Sequence, residues 1–178
     1  VSTLKTLFIV DGERNYCLEN PADKIPRAIL DDSAPGILTV QQVAKLLKVT
    51  REEDPGMLAY IAIGLFAGLR RSELCVLEWS EIDIKARTIE VKGAKAKTRQ
   101  RRIVTISDTL AEWLALAPKS ARPAPSWNED VCSERLKNLC SERLDEGGSL
   151  IRKAIVDNWP HNALRHSFGS YHYGQYRD

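Results

Sequence analysis

Apolar residues recur along this chain first at helical spacing and then at strand spacing. Leu4, Leu7, Phe8 and Val10 make an imperfect stripe that predicts a helix over residues 1–19, with Tyr16, Cys17 and Leu18 following it. Asn20-Pro21 stops that helix, because the residue before a proline is pushed out of the α region. Residues 20–37 hold three prolines and read as a linker. Beyond it, Thr39 offers an N-cap, and Val43, Leu46 and Leu47 supply the stripe of a short helix. The best helical pattern covers about residues 54–69. There Leu58, Ile61, Ala62, Leu65, Phe66 and Leu69 fall three or four apart and predict one buried face. Gly68 weakens its end. Ser72 stands where it can cap a further helix holding Leu74, Cys75 and Leu77.

The period then changes to two. Ile82 and Ile84 alternate, Lys85-Ala86-Arg87 turns, and Ile89 and Val91 alternate again; Ile103, Thr105 and Ile106 suggest a third strand after a loop at Gly93. Ser107 caps a helix containing Leu110, Trp113 and Leu114. Residues 117–127 read as a loop, about 129–144 and 149–157 as two helices, and Trp159-Pro160 as a break. A last helix starts near Asn162, with Leu164, Phe168 and Tyr171 inward. The order predicts an α+β fold, mainly α-helical with a small three-stranded antiparallel sheet.

Composition narrows the classes. Of 178 residues, 43% are hydrophobic and 28% charged, enough for one domain with a core, or one domain and part of a second. No apolar run approaches the roughly 18 residues a membrane span needs. The first residues lack the layout of a secretion signal. Cys17, Cys75, Cys132 and Cys140 are scattered, without Cys-x-x-Cys or zinc-finger spacing, so reduced thiols in a cytoplasmic protein and no metal site are expected. The net charge is only +2, but residues 85–102 carry eight cations against Glu90 alone. Such asymmetry predicts a local surface facing a polyanion.

Three features bear chemistry. Arg70-Arg71 sits at a junction of two buried helices, a lysine-rich hairpin follows, and a late helix opens with His161, Asn162, Arg165 and His166. Guanidinium forks grip phosphate oxygens and stay charged. Lysine and imidazole can move protons. Glu73 reads as a structural partner for an arginine, and the four tryptophans as packing residues.

Ala67-Gly68-Leu69-Arg70-Arg71-Ser72-Glu73-Leu74 resembles the first signature box of the tyrosine recombinases, the phage-integrase family. Lys97-Thr98 ahead of Arg102-Ile103-Val104-Thr105-Ile106 resembles the family's hairpin lysine and the strand after it. Asn162-Ala163-Leu164-Arg165-His166-Ser167-Phe168 resembles the second box, His-x-x-Arg-His-Ser/Thr-Phe, except at its first position. The three occur in the family's order. The resemblance implies that Arg70 and Arg165 grip the scissile phosphate, that Lys97 protonates the departing 5′ oxygen, and that a tyrosine becomes joined to the DNA 3′ phosphate, with no metal or other cofactor. It implies further that Lys92, Lys95, Arg99, Arg101, Asn162 and His166 touch DNA. The expected partners are double-stranded DNA and further copies of the chain, as a tetramer on DNA when full length, with no membrane. The expected location is cytoplasmic, on the nucleoid.

Two departures from the pattern shape the reading. Asn162 stands where the family has histidine, and asparagine is no general base. Either His161, four residues before Arg165, takes that role, or Asn162 orients the phosphate. The family's third box, Gly-His and then the nucleophile a few tens of residues beyond the second arginine, has no counterpart in the thirteen residues after Arg165. Gln175-Tyr176-Arg177 resembles the nucleophile's surroundings in some members, which makes Tyr176 the candidate. The resemblance thus divides the chain into the last helix of a truncated core-binding domain (1–19), a linker (20–37) and a catalytic domain incomplete at its C-terminus (38–178). The alternative is a DNA-binding remnant without catalysis.

Overall fold

A computed structural model describes residues 8–10, 20, 21, 24, 36–93, 101–119 and 122–176, the last by its backbone alone. The chain divides into two units, Val1–Ala34 and Pro35–Asp178. In the first, residues 8–10 are helical. The second holds the α+β architecture: among the described residues, six α-helices, a three-stranded antiparallel sheet and a two-stranded ribbon.

Helix α1 (Val40–Glu53) begins where expected. The Thr39 hydroxyl accepts from the Gln42 N–H at 3.2 Å, and the Gln42 side chain accepts from the Thr39 N–H at 2.8 Å. This reciprocal box satisfies two donors that a helix start would otherwise leave unpaired. The expected helix at 54–69 is shorter. Pro55 opens a 3₁₀ turn to Met57, and α2 runs from Leu58 to Ala67. Nor is only one face buried: every residue of α2 except Phe66 is buried. A helix apolar all round belongs at the centre of a core, and α2 packs against α1, α4 (Asp108–Leu116) and α6 (Ala163–Tyr176). Gly64 permits the approach of α6, since a Cβ there would stand 2.8 Å from Leu164 Cδ1.

Helix α3 (Arg71–Val76) is capped by a different residue from the one expected. Arg70, not Ser72, occupies the N-cap, and Glu73 accepts its N–H. Strands β1 (Ile82–Asp83), β2 (Thr88–Val91) and β3 (Arg102–Thr105) form the sheet in sequence order. Ile89 faces Val104 and Val91 faces Arg102, so Arg102 and Val104 share the inward face. Ile103, expected as an apolar strand position, is 64% exposed.

Ser107 caps α4 as expected, accepting from the Leu110 N–H at 3.2 Å. Helix α5 (Glu129–Cys140) stops before 144, and the helix expected at 149–157 is absent. In its place β4 (Arg143–Leu144) pairs with β5 (Leu150–Arg152). The cause is the Asp145-Glu146-Gly147-Gly148 turn. The Asp145 carboxylate accepts from the N–H groups of Gly147 and Ser149, and Gly148 adopts φ +81°. An Asp side chain folded onto the following backbone, with glycine at positive φ, makes a hairpin. Helix α6 clamps the start of the unit: Ser167 Oγ accepts from the Leu38 N–H, and the Tyr171 hydroxyl donates to the Leu38 carbonyl, both at 2.8 Å.

Candidate active site

The site is built at the C-terminus of α2. Gly68 ends that helix at φ +62°, a left-handed conformation natural to glycine. A Cβ there would lie 2.2 Å from Phe168 Cδ1, so α6 also presses on this corner. The turn swings Arg70 out in extended conformation at the start of α3. From α6, Arg165 Nη1 donates to the Gly68 carbonyl at 2.6 Å. A cation at a helix C-terminus is favoured by the helix dipole. Two arginines 95 positions apart in sequence are thereby anchored to one turn.

Glu73 organises the corner from beneath. Its carboxylate is 1% exposed and accepts four bonds. Arg70 gives its N–H and Nη1, each at 2.9 Å; Arg102 gives Nη1 at 2.8 Å and Nη2 at 2.6 Å. Burial alone would raise the Glu73 carboxyl. The bonds from Arg102 and from the Arg70 backbone and side chain outweigh it and hold the group at about 2. Arg102 is raised in return by its bonds to Glu73. Arg165 is lowered, first by burial and then by the charge of Arg70.

Arg70, Arg102 and Arg165 line one groove of about 1110 Å³, with Phe66, Ile103 and Phe168 among its apolar walls. Asp108, also in its lining, is ion-paired with Arg87 at 2.9 Å. Two of these guanidiniums share Glu73 and the third is held by the Gly68 carbonyl, and the repulsion among the three is relieved best by an anion with several oxygens. That is the chemistry of a phosphate clamp.

The other candidate residues are placed unevenly. His161 and Asn162 form a turn ahead of α6 rather than its first residues, so the helical spacing expected between His161 and Arg165 does not apply. Asn162 takes φ +54°, and its carbonyl accepts from the His166 N–H at 2.9 Å. His161 and Asn162 line a second cavity of about 290 Å³ with Arg71 and Lys137, and Arg165 stands in the walls of both cavities. Lys92 is paired with the buried carboxylate of Glu81 at 3.1 Å, and Arg101 with Glu90 at 2.8 Å. Glu90 is therefore not the only acid opposing the basic segment. Lys95, Lys97 and Arg99 lie outside the described residues, as does the Tyr176 side chain; its backbone closes α6. Among the described residues, no group of three or more His, Cys, Asp or Glu could hold a metal, and no helix is long and apolar enough to cross a membrane. The Cys75 and Cys132 sulfurs, unremarkable in sequence, meet 3.7 Å apart in the core.

Arg102 was missed as a site residue from sequence. The signal was present: it stands two residues before Val104, where strand alternation places a charge on the inward face.

Residues 37–173 match the model of the phage integrase family. Tyrosine recombinase XerA of Thermococcus kodakarensis is 30% identical over 179 residues, covering 96% of this chain and 58% of that protein. A lambda integrase tetramer bound to a Holliday junction gives a TM-score of 0.64 at 16% identity, over 99% of this chain and 54% of that one. The crystal structure of XerA recombinase gives 0.60 at 18% identity, over 82% and 53%. Likeness at such identities is likeness of fold. The chain spans about half to three-fifths of the length of these relatives.

Proposed function

The chain belongs to the phage integrase family, and from that premise we propose that it serves a tyrosine-type site-specific recombinase that cleaves and rejoins duplex DNA. The observation that carries the reading is the convergence of Arg70 and Arg165 on the Gly68 turn, in one groove with Arg102.

In this reading Arg70 and Arg165 bind the non-bridging oxygens of the scissile phosphate and stabilise the charge that builds as phosphorus becomes five-coordinate. The Tyr176 oxygen attacks phosphorus, the bond to the 5′ oxygen breaks, and a 3′-phosphotyrosyl linkage forms. Lys97 gives the departing 5′ oxygen its proton. Either His161, which lines the second cavity with Arg165, accepts the tyrosine's proton, or Asn162 orients the phosphate. The linkage conserves the phosphodiester's energy, so religation needs no ATP. Lys92, Lys95, Arg99, Arg101 and His166 supply further DNA contacts; Lys92 and Arg101 must share their charge with Glu81 and Glu90.

The proposal extends to organisation. Residues 1–19 belong to a core-binding domain, 20–37 form the linker, and 38–178 belong to a catalytic domain. The full-length protein works as a tetramer on two duplexes, in the cytoplasm on nucleoid DNA. Binding through phosphates weakens steeply with salt.

A nicked suicide duplex carrying the crossover site from the flanks of the native gene tests this. It is incubated, without metal, with this chain and with the product of the complete native reading frame. A covalent protein–DNA band on a denaturing gel, lost in Arg70→Ala and Arg165→Ala, is expected. A band from this chain lost in Tyr176→Phe identifies the nucleophile. Salt-sensitive binding with no band from either polypeptide favours the non-catalytic DNA-binding remnant.

A further inference from the structure

Glu73 is one buried carboxylate serving two guanidiniums, and the two are held differently. Arg102 uses both terminal nitrogens, one on each oxygen, at 2.8 and 2.6 Å. The Arg70 side chain uses Nη1 alone, at 2.9 Å. A free Arg–carboxylate pair prefers the two-pronged arrangement. Arg102 takes both oxygens and the Arg70 N–H also takes Oε2, which leaves the Arg70 side chain Oε1 alone. Arg102 opens β3, directly after the basic segment 92–101, and faces the buried Val91. Its side chain is about one-third exposed and lines the same groove as Arg70 and Arg165.

We propose that Arg102 is a positioning residue for the strand-cleavage reaction: its fork occupies Glu73, leaving Arg70 tethered by one side-chain nitrogen and free to offer the rest of its guanidinium to the scissile phosphate. This rests on the recombinase reading above. Without Arg102, Glu73 and Arg70 close into a neutral two-pronged pair, and the phosphate loses both a fork and a net charge. Arg102 also ties the base of the hairpin that bears Lys97 to the turn that bears Arg70.

The test uses the polypeptide of the complete native reading frame and the nicked duplex. Single-turnover covalent product is followed at saturating DNA for wild type, Arg102→Gln and Arg102→Lys, alongside Kd for the same DNA and a thermal melt. Arg102→Gln is expected to slow cleavage about 10- to 100-fold while Kd changes by less than about threefold, because the residue acts on the reacting phosphate's partner rather than on binding. Arg102→Lys, which keeps the charge and one donor to Glu73, recovers part of the rate. Wild-type cleavage in Arg102→Gln overturns the proposal. So does a loss of rate matched by loss of affinity, which marks an ordinary phosphate contact. If Arg102→Gln does not fold, Arg102→Lys decides: a wild-type rate overturns the proposal, and a slower rate at unchanged Kd upholds it. No covalent product from the wild type overturns the recombinase reading itself.

Discussion

Two carboxylates in this molecule are each shared by two arginines, and they behave as different devices. Glu53, at the end of α1, meets Arg143 at 3.2 Å and Arg152 at 3.1 Å, fastening the β4–β5 ribbon to the helix. Glu73, at the start of α3, meets Arg70 and Arg102. Glu53 is 25% exposed and Glu73 1%. Glu53 also lies at a helix C-terminus, where the dipole disfavours a carboxylate, whereas Glu73 lies in a first turn, where the dipole and the Arg70 N–H favour it. The same three-residue chemistry is thus a solvent-screened clip at one place and a fixed support for groove-lining cations at the other. Burial and helix polarity make the difference.

The comparison can be broken at its functional end first. Arg165→Ala should reduce covalent adduct formation about 100- to 1000-fold, the loss typical of removing a preorganised transition-state donor. Single-turnover cleavage on the nicked duplex measures it, and an adduct at wild-type yield would detach the corner from catalysis. Next comes Glu73→Gln, which leaves two guanidiniums facing an amide. It should destabilise the fold by about 2–4 kcal/mol at pH 7 in urea, near the lower end for a broken buried pair because both arginines are partly exposed.

The pH dependence sharpens the same point. The Glu73 carboxyl is lowered from 4.5 to about 2 on folding. Its contribution is therefore complete above the unfolded value and disappears as pH falls from about 4.5 towards 2. The shift corresponds to about 3 kcal/mol, reduced to about 2–3 kcal/mol by solvent screening of the partly exposed arginines, and the glutamine variant should lack this component of the acid transition. Gly68→Ala ranks below. Its positive φ and the clash with Phe168 should cost about 1–3 kcal/mol in the same urea assay, and displacement of the carbonyl that holds Arg165 should slow cleavage as well. Smallest of all is Glu53→Gln, expected within about 1 kcal/mol, as for exposed ion pairs, with cleavage unchanged. A cost equal to that of Glu73→Gln would erase the difference between the two carboxylates.

Much of this was legible along the chain because it is local. The Thr39 and Ser107 caps, the helical stripes and the alternation through Ile89 and Val91 depend on residues within a turn or a strand of one another. So do the Ala67–Leu74 and Asn162–Phe168 motifs, whose resemblance to the family's two boxes marked both arginines before any fold was known. What the sequence could not specify are the meetings of distant residues. Arg165 reaches the Gly68 carbonyl across 97 positions, and Arg102 reaches Glu73 across 29. The latter requires the β2–β3 register, in which one step would turn Arg102 to solvent. Asn162 leaves the helix because its φ is positive, and residues 143–152 fold as a hairpin because Asp145 caps its own turn. Residue types and spacing alone therefore determined which groups were available. The tertiary structure decided their partners, because burial, register and chain crossings between elements set whether a charge meets solvent, a carboxylate or an open groove.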